Sequence, residues 1–417
     1  MFSKNREILL TSPILYIVFI ALGLCTGLVA NSIVFEIASY VADAFMNLLK
    51  LVSVPILFLS IVTVASGMEN LQMMATMGKK VIKYTLITTV AAATVALVLF
   101  LLIDPVQGSV IAVNPLQTSP EYTAESYWKH LLNIIPSNII EPFSSSNVIG
   151  VLILALFISL GMFSIQASQR QVLHDVFSAF YAVFMKITGF IVKLIPIALW
   201  AFITLFVRDV QAGLELKAIG LYLLAVVAAN LIQGFVILPL LLVYKGVSPR
   251  KLASAMLPAL TVAFFTKSSS ATVPSAVRCA EERAGIQSKV ANFAFPLCTS
   301  INMNGCAAFI LITVLFVSML NGMTFSALEL VLWVFMATLA AIGNASVPMG
   351  CFFLAGAFLA AMNMPLNILG VILPFYAIID AIETAVNVWS DSCVAMVVNQ
   401  EVTAEANSTH AIPIVSI

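Results

Sequence analysis

The chain contains 417 residues, of which 61% are hydrophobic and 9% charged, and its formal net charge is zero. Soluble domains carry about 25% charged residues, so a mean hydropathy of +1.08 excludes a water-soluble globular protein. The lack of a basic excess argues against a nucleic-acid partner. The six cysteines form no CxxC pair, so we expect neither disulfide bonds nor a zinc site.

Eight apolar segments are long enough to cross a hydrocarbon core of about 30 Å, which requires about 20 helical residues. In chain order they lie near 13–30, 43–66, 82–103, 147–166, 177–207, 217–244, 290–320 and 364–397. The first segment could pass for a signal peptide, but in a chain with many spans we interpret it as a retained helix. The sequence therefore predicts an all-α polytopic membrane protein.

Two further apolar stretches, near 251–287 and 326–362, are interrupted in the middle by small and polar residues at 267–274 and 343–350. Lipid cannot satisfy exposed backbone groups, so such interruptions must be buried in protein or line a watery cavity. We therefore expect two re-entrant helical hairpins. Paired interrupted segments of this kind point to the binding site of a transporter.

The charges in the predicted loops give an orientation. Lys79, Arg170 and Lys245 fall on one side of the predicted weave, whereas Glu36 and Asp104 fall on the other. The positive-inside rule then places both termini in the cytoplasm. It also makes the first hairpin enter from the cytoplasm and the second from outside, so the two are opposed.

The last predicted helix carries a polar stripe. Its members are Asp380, Glu383, Thr384, Asn387 and Asp391, whose spacing places them on one face. A single charge at the bilayer centre costs about 2.5–3.5 kcal/mol, so cations or protons must offset three carboxylates. A solvated helix outside the membrane is the alternative, and the apolar neighbours argue against it.

Polar residues also interrupt the seventh predicted helix at Asn302, Met303 and Asn304. Asn and Gly are poor helix formers, so we expect this helix to unwind in its middle. Freed carbonyl and amide oxygens suit an alkali cation. The alternative is that these amides simply bond to a neighbouring helix.

Two hydroxyl-rich segments complete the candidates. The serines at 268–270 lie at a predicted helix start, which favours an anion such as a carboxylate, although an ordinary polar turn is the alternative. Tyr84, Thr85, Thr88 and Thr89 form a patch in the third predicted helix. Such hydroxyls usually bond to their own backbone.

These motifs together resemble the glutamate transporter, or dicarboxylate/amino acid:cation symporter, family over nearly the whole chain. The matching segments are Val54-Pro55, Pro136-Ser137-Asn138, Pro196-Ile197, the serine-rich first interruption, Asn302-Met303-x-Gly305, Val347-Pro348, and the Asp…Asn…Asp pattern of the last helix. The resemblance implies eight transmembrane helices plus two opposed re-entrant hairpins, in a homotrimer that works by an elevator movement.

The resemblance also implies a division into domains. Residues 1–81 and 104–207 would form a static scaffold. Residues 82–103 and 208–400 would form a mobile transport domain, and residues 401–417 a cytoplasmic tail. The protein would lie in the cell inner membrane, surrounded by lipid.

Site residues carry over from the family position by position. The implied substrate residues are Ser268, Ser269, Ser270, Cys306, Val347, Met349, Gly350, Asp380, Glu383, Thr384 and Asn387. The implied sodium residues are Thr88, Thr89, Cys298, Ser300, Asn302, Met303, Asn304, Asn387 and Asp391. Asp380 would bind the substrate's amino group, and Asp391 would ligate Na⁺, the transported coupling ion.

Departures from the family pattern indicate the substrate. Glu383 stands where members that carry acidic amino acids have an arginine, and a glutamate there repels a side-chain carboxylate. Asn304 replaces a common aspartate, which weakens one sodium site. Lys267 stands where arginine is common. The pattern is most similar to the bacterial sodium/serine–threonine symporter branch, which implies symport of serine or threonine, with alanine a further candidate.

Several alternatives stay open. A relative with the same fold could carry acidic amino acids or dicarboxylates, held by Lys267, or a basic amino acid paired with Glu383, and could couple to protons. A passive channel is a further option. An intramembrane enzyme would use Asp380 and Asp391 as an acid pair. These lie about 16 Å apart along a helix, whereas a shared proton requires about 3 Å, so we expect no catalytic residues.

Overall fold

The computed structural model describes residues 13–29, 31–66, 77–107, 137–144, 148–211, 216–344, 346–347 and 349–410. Every regular element within these ranges is a helix. The predicted outer loop at 108–136 and both chain ends lie outside the described residues, so the orientation of the termini stays a prediction.

The helices follow one another with short connections. They are α1 (Pro13–Val29), α2 (Ser32–Ser66), α3 (Lys79–Ile103), α4 (Glu141–Ser144), α5 (Val148–Ser164), α6 (Ala167–Lys193), α7 (Ile195–Gln211), α8 (Leu216–Ile232), a π-helical turn (Gln233–Ile237), α9 (Leu238–Tyr244), α10 (Pro249–Thr266), α11 (Ser269–Glu282), α12 (Ser288–Ile301), α13 (Asn304–Leu320), α14 (Ala327–Gly343), α15 (Gly350–Ala361) and α16 (Asn367–His410).

Four helical segments among the described residues are long and apolar enough to cross a membrane. They are Lys79–Ile103, Leu216–Tyr244, Ser288–Leu320 and Asn367–Glu405. The bent pair α6–α7 would add a fifth, and the remaining apolar helices are shorter. The all-helical membrane fold is thus confirmed, whereas the count of eight crossings stays a prediction.

The second predicted helix begins earlier than the expected residue 43. Helix α2 starts at Ser32, so Glu36 lies on a helix and not in a loop. The side chain of Asn31 accepts a hydrogen bond of 2.9 Å from the backbone N–H of Ile33. Such a cap satisfies a free donor of the first turn, and the apolar residues that follow continue the helix.

The fifth predicted helix, expected at 177–207, is two helices. Helices α6 and α7 meet at Leu194 with a bend of 52°. Pro196 explains the break, because proline lacks a backbone N–H and clashes with the carbonyl four residues earlier. It also disfavours helical geometry at the residue before it.

The last helix is longer than expected. We predicted a helix near 364–397 and a tail from residue 401, but α16 continues to His410. Beyond the apolar part, Glu401 accepts a hydrogen bond of 2.8 Å from Lys245 Nζ, which fixes the extension to the end of α9. This hydrogen bond raises the pKa of the Lys245 amine.

Both interrupted stretches form pairs of helices, as predicted. Helices α10 and α11 pack on each other, and their connection, Lys267–Ser268, is named tip 1. Helices α14 and α15 each pack on α13, and their connection, residues 344–349, is named tip 2. Helix α13 also contacts α3, α8 and α16, and nearly all of its side chains are buried.

Helices α1 and α7 pack closely through two glycines. A Cβ on Gly23 would lie 2.9 Å from the carbonyl oxygen of Trp200, and one on Gly27 would lie 3.0 Å from that of Thr204. The hydroxyls of Thr26 and Thr204 hydrogen-bond across the same interface at 2.8 Å. Small residues four apart allow this approach between helices in lipid.

We predict that Gly23→Ala lowers the stability of the purified protein, because overpacking of a close interface costs about 1–3 kcal/mol. The measurement is thermal unfolding in detergent, followed by loss of the monodisperse chromatographic peak. Gly161→Ala is the control, since a Cβ there meets nothing within 4 Å. Equal unfolding temperatures for the two variants would contradict the packing described.

Candidate functional site

A buried cavity lies where tip 1, tip 2, the start of α13 and the middle of α16 meet. It encloses about 290 Å³ of empty space. Drug-sized ligands occupy pockets of about 300–1,000 Å³, so this cavity suits a smaller solute. The predicted substrate residues in its wall are Ser269, Cys306, Val347, Gly350, Asp380, Glu383, Thr384 and Asn387.

Helix α16 contributes its predicted polar stripe to this wall. Glu383 is 1% exposed, and Thr384 and Asn387 are also buried. The side-chain oxygen of Asn387 accepts a hydrogen bond of 2.8 Å from the backbone N–H of Gly305. That N–H belongs to the first turn of α13, which has no partner within its own helix. The contact therefore fixes α16 to the start of α13.

The carboxylate of Glu383 is the least satisfied group of the cavity. Neither of its oxygens has a hydrogen-bond partner among the described residues. Gly305 permits the close approach, because a Cβ there would lie 2.8 Å from Glu383 Cα. A buried carboxylate without a partner is strongly unfavourable, so this group calls for a proton, a cation or a donor from a bound solute.

Tip 1 presents Lys267 and Ser269 to the cavity. Lys267 has a left-handed backbone, with φ of 52°. The side chain of Ser268 instead caps α11 by accepting a hydrogen bond of 3.2 Å from the N–H of Ala271, and Ser270 is exposed. Of the three predicted serines, the structure thus brings only Ser269 into the cavity wall.

Tip 2 contributes Asn344, Ser346 and Val347. The Ser346 hydroxyl donates to the carbonyl oxygen of Thr299 in α12, which ties tip 2 to the interrupted helix. Met349, predicted as a substrate residue, packs against the hydrophobic core and lies outside the cavity wall.

The expectation of no disulfide was wrong. Cys306 and Cys351 are joined by a disulfide bond, with Cα atoms 5.3 Å apart and 45 residues between them in sequence. The pair escapes a search for local spacing because one cysteine lies in the first turn of α13 and the other in the first turn of α15. Tip 2 brings these two helix starts together.

A second polar cluster lies deeper, around Asn302. Its amide donates hydrogen bonds of 2.9 Å to Asp391 Oδ1 and 2.9 Å to Ser390 Oγ. Its carbonyl oxygen accepts from Asn304 Nδ2 at 2.8 Å and from the Thr88 hydroxyl at 3.1 Å. The break between α12 and α13, predicted from the poor helix formers, places Asn302 at the centre of this cluster.

The other predicted sodium residues are divided. The Thr89 hydroxyl lies 3.4 Å from Asn304 Nδ2, at the edge of the cluster. The carbonyl of Cys298 accepts a hydrogen bond from the N–H of Asn302. Ser300 bonds to its own helix through the carbonyl of Pro296, and Met303 lines the cavity instead.

Sequence reasoning missed Gln233. Its amide donates to Asn304 Oδ1 at 2.6 Å and to the carbonyl of Thr88 at 3.1 Å. Gln233 begins the π-helical turn, and the carbonyl of Gly234 in that turn accepts from the indole of Trp389 at 3.0 Å. Such turns are frequent at functional sites. A lone polar residue in an apolar span was the available signal.

The arrangement defines a class of protein. Within a helical membrane fold, an interrupted helix and two helix-pair tips enclose one polar cavity, as in secondary transporters. The chain belongs to the Sodium:dicarboxylate symporter family, whose profile matches residues 14–401. This confirms the resemblance drawn from the motifs. The family consists of transporters, so the chain is a membrane symporter and not an enzyme.

Similar proteins are amino acid transporters of both neutral and excitatory type. Neutral amino acid transporter A of Bos taurus is 24% identical, over 88% of this chain and 76% of its own length. Excitatory amino acid transporter 3 of Oryctolagus cuniculus is also 24% identical, over 94% and 84%. A putative sodium-dependent excitatory amino acid transporter, glt-4, of Caenorhabditis elegans is 29% identical over 64% and 53%.

We predict that Asn302→Ala destabilises the protein, because each buried group left unpaired costs about 1–3 kcal/mol. The readout is thermal unfolding in detergent without added sodium. Asn321→Ala is the matched control, since that amide donates only to Val317 in its own helix among the described residues. An unfolding temperature for Asn302→Ala no lower than for the control would contradict the central role of Asn302.

Proposed function

We propose that this protein is a sodium-coupled symporter of small neutral amino acids, with serine and threonine as its main substrates. The observation that carries the proposal is the cavity wall itself. It places the carboxylates of Asp380 and Glu383 between two tips that expose helix N-termini. A small solute with one positive, one negative and one hydroxyl group matches this wall.

The substrate's own carboxylate is assigned to the tips. The first turns of α11 and α15 carry free backbone N–H groups and the positive ends of the helix dipoles, which favour an anion. The α-amino group is assigned to Asp380. Lys267 faces the same cavity and partly balances the two carboxylates.

The side-chain selectivity is assigned to Glu383. Its unpartnered oxygens can accept a hydrogen bond from a serine or threonine hydroxyl. A side-chain carboxylate of the substrate would instead meet a like charge, and that repulsion is large in a buried site of low dielectric. This electrostatic difference favours neutral over acidic amino acids.

The sodium ion is assigned to the cluster around Asn302. Asp391 supplies a negative charge there, and amide and hydroxyl oxygens are hard ligands that suit Na⁺. Asn304 is neutral and has its amide held by Gln233, which favours fewer sodium ions than in members with aspartate at that position. Asn387 contacts the start of α13 beside the cavity and links the cation cluster to the substrate.

The movement and assembly follow the family. We infer a static scaffold of residues 1–81 and 104–207 and a mobile transport domain of residues 82–103 and 208–400. The tight packing of α1 on α7 and of α10 on α16 supports this division. An elevator movement, a homotrimer, the cell inner membrane and cytoplasmic termini belong to the same proposal.

Glu383→Arg should shift selectivity toward acidic amino acids, because arginine pairs bidentately with a carboxylate. The measurement is uptake of labelled serine into proteoliposomes in competition with unlabelled aspartate. Glu383→Gln is the control, since it removes the charge without adding a cation. If aspartate, and not serine, blocks uptake by the unmodified chain, the substrate is acidic and Lys267 takes the larger part.

Asp391→Asn should raise the sodium concentration needed for half-maximal serine uptake about tenfold, which corresponds to about 1.4 kcal/mol of lost cation binding. Asp43→Asn, at an exposed position on α2, serves as the control and should leave this concentration unchanged. An unaltered sodium dependence in Asp391→Asn would remove that residue from the cation site.

A further inference from the structure

Three side chains with ligand atoms for soft metals converge at the cavity wall. The sulfurs of Cys306 and Cys351 and a carboxylate oxygen of Glu383 all lie within 4.8 Å of one another, and all three residues are buried. They come from three different elements, since Cys306 is in the first turn of α13, Cys351 in the first turn of α15, and Glu383 in α16.

Two further observations point to a ligand at this place. The Glu383 oxygens have no partner among the described residues, although the side chain is 1% exposed. The amide of Asn344 donates to Cys306 Sγ at 3.1 Å and to Cys351 Sγ at 3.4 Å. Hydrogen bonds of this kind from a second layer orient metal ligands.

The ligand set selects a chemical class. Two thiolates and a carboxylate suit a thiophilic divalent cation such as Zn²⁺ or Cd²⁺, and they do not suit Mg²⁺ or Ca²⁺. Tetrahedral Zn–S bonds of about 2.3 Å place two sulfurs about 3.8 Å apart. The disulfide therefore has to open before such an ion can bind.

We propose that the reduced chain binds one thiophilic divalent cation through Cys306, Cys351 and Glu383. A dithiol reductant first converts the disulfide to two thiols and becomes a disulfide itself, transferring two electrons and two protons. The two thiols then lose their protons to water as both sulfurs bond to the cation. One coordination position stays open toward the cavity.

Occupation of this site has a consequence for transport, which rests on the proposed function. The cation would fix the start of α15 to α13 and α16, so tip 2 could no longer move away from the cavity. It would also occupy Glu383, the group assigned to the substrate hydroxyl. The ion would therefore act as an inhibitor that depends on the redox state of one cysteine pair.

The direct test is titration of the purified full chain with Cd²⁺, followed by thiolate-to-cadmium absorbance in the ultraviolet. The reduced chain should bind one Cd²⁺ per protomer in the presence of excess Mg²⁺, and the oxidised chain should not. Cys351→Ser and Cys306→Ser should each weaken binding at least about 100-fold, since even orienting residues contribute 10–100-fold to metal affinity.

Cys279→Ser is the control, because Cys279 is a buried free cysteine in α11 away from this group. It should bind Cd²⁺ like the unmodified chain. Thermal unfolding of each variant establishes that it is folded, and Glu383→Gln provides a test that leaves both thiols in place. One-to-one binding that is unaffected by Cys351→Ser, or no binding to the reduced chain, would overturn the site.

Uptake measurements separate this inference from the proposed function. Cd²⁺ should inhibit sodium-driven serine uptake by the reduced chain and by Cys279→Ser, and a chelator should restore it. If serine uptake is absent, the proposed function fails while the cadmium titration still decides the site. If Cd²⁺ binds but leaves uptake unchanged, the inhibition is refuted and the metal site stands.

Discussion

The interruption of the helix between α12 and α13 is the constraint on which the rest of the structure depends. It opens the backbone at Asn302 and Met303 inside a bundle where lipid offers no hydrogen-bond partners. Each freed group must therefore be paired within the protein. The side chain of Asn387 takes the N–H of Gly305, and Ser346 bonds to the carbonyl of Thr299. The same contacts bring α16 and tip 2 to the break, so satisfying the backbone and building the cavity are one event.

The polar stripe of α16 serves two chemically different surroundings. Toward one end, Asp391 is surrounded by donors, including the amide of Asn302 and the hydroxyl of Thr299, which is an environment that holds a charge in place. Toward the other end, Glu383 has no partner among the described residues and lies on the open cavity. A satisfied carboxylate fits a fixed ion, whereas an unsatisfied one fits a ligand that enters and leaves. This contrast is the physical basis for separating a cation cluster from a substrate cavity in the proposed mechanism.

Features set by local chemistry could be predicted from the sequence, and features set by packing could not. The polar stripe at 380–391, the break at Asn302 and both tip regions follow from periodicity and from poor helix formers, and the structure places most of the predicted residues together. The early start of α2, the bend before Pro196 and the extension of α16 depend on caps, proline sterics and a distant lysine. Gln233 and the Cys306–Cys351 pair depend on which helices become neighbours, and one sequence without relatives holds no such information.

Equilibrium binding of serine to the purified protein, measured by calorimetry at zero and at saturating sodium, tests the central claim most directly. We predict that serine binds at least about tenfold more tightly with sodium, which is a coupling of about 1.4 kcal/mol. We also predict that sodium binds more tightly with serine by the same factor, as linkage requires. Serine affinity that is identical with and without sodium, or binding of aspartate in preference to serine, would contradict the account.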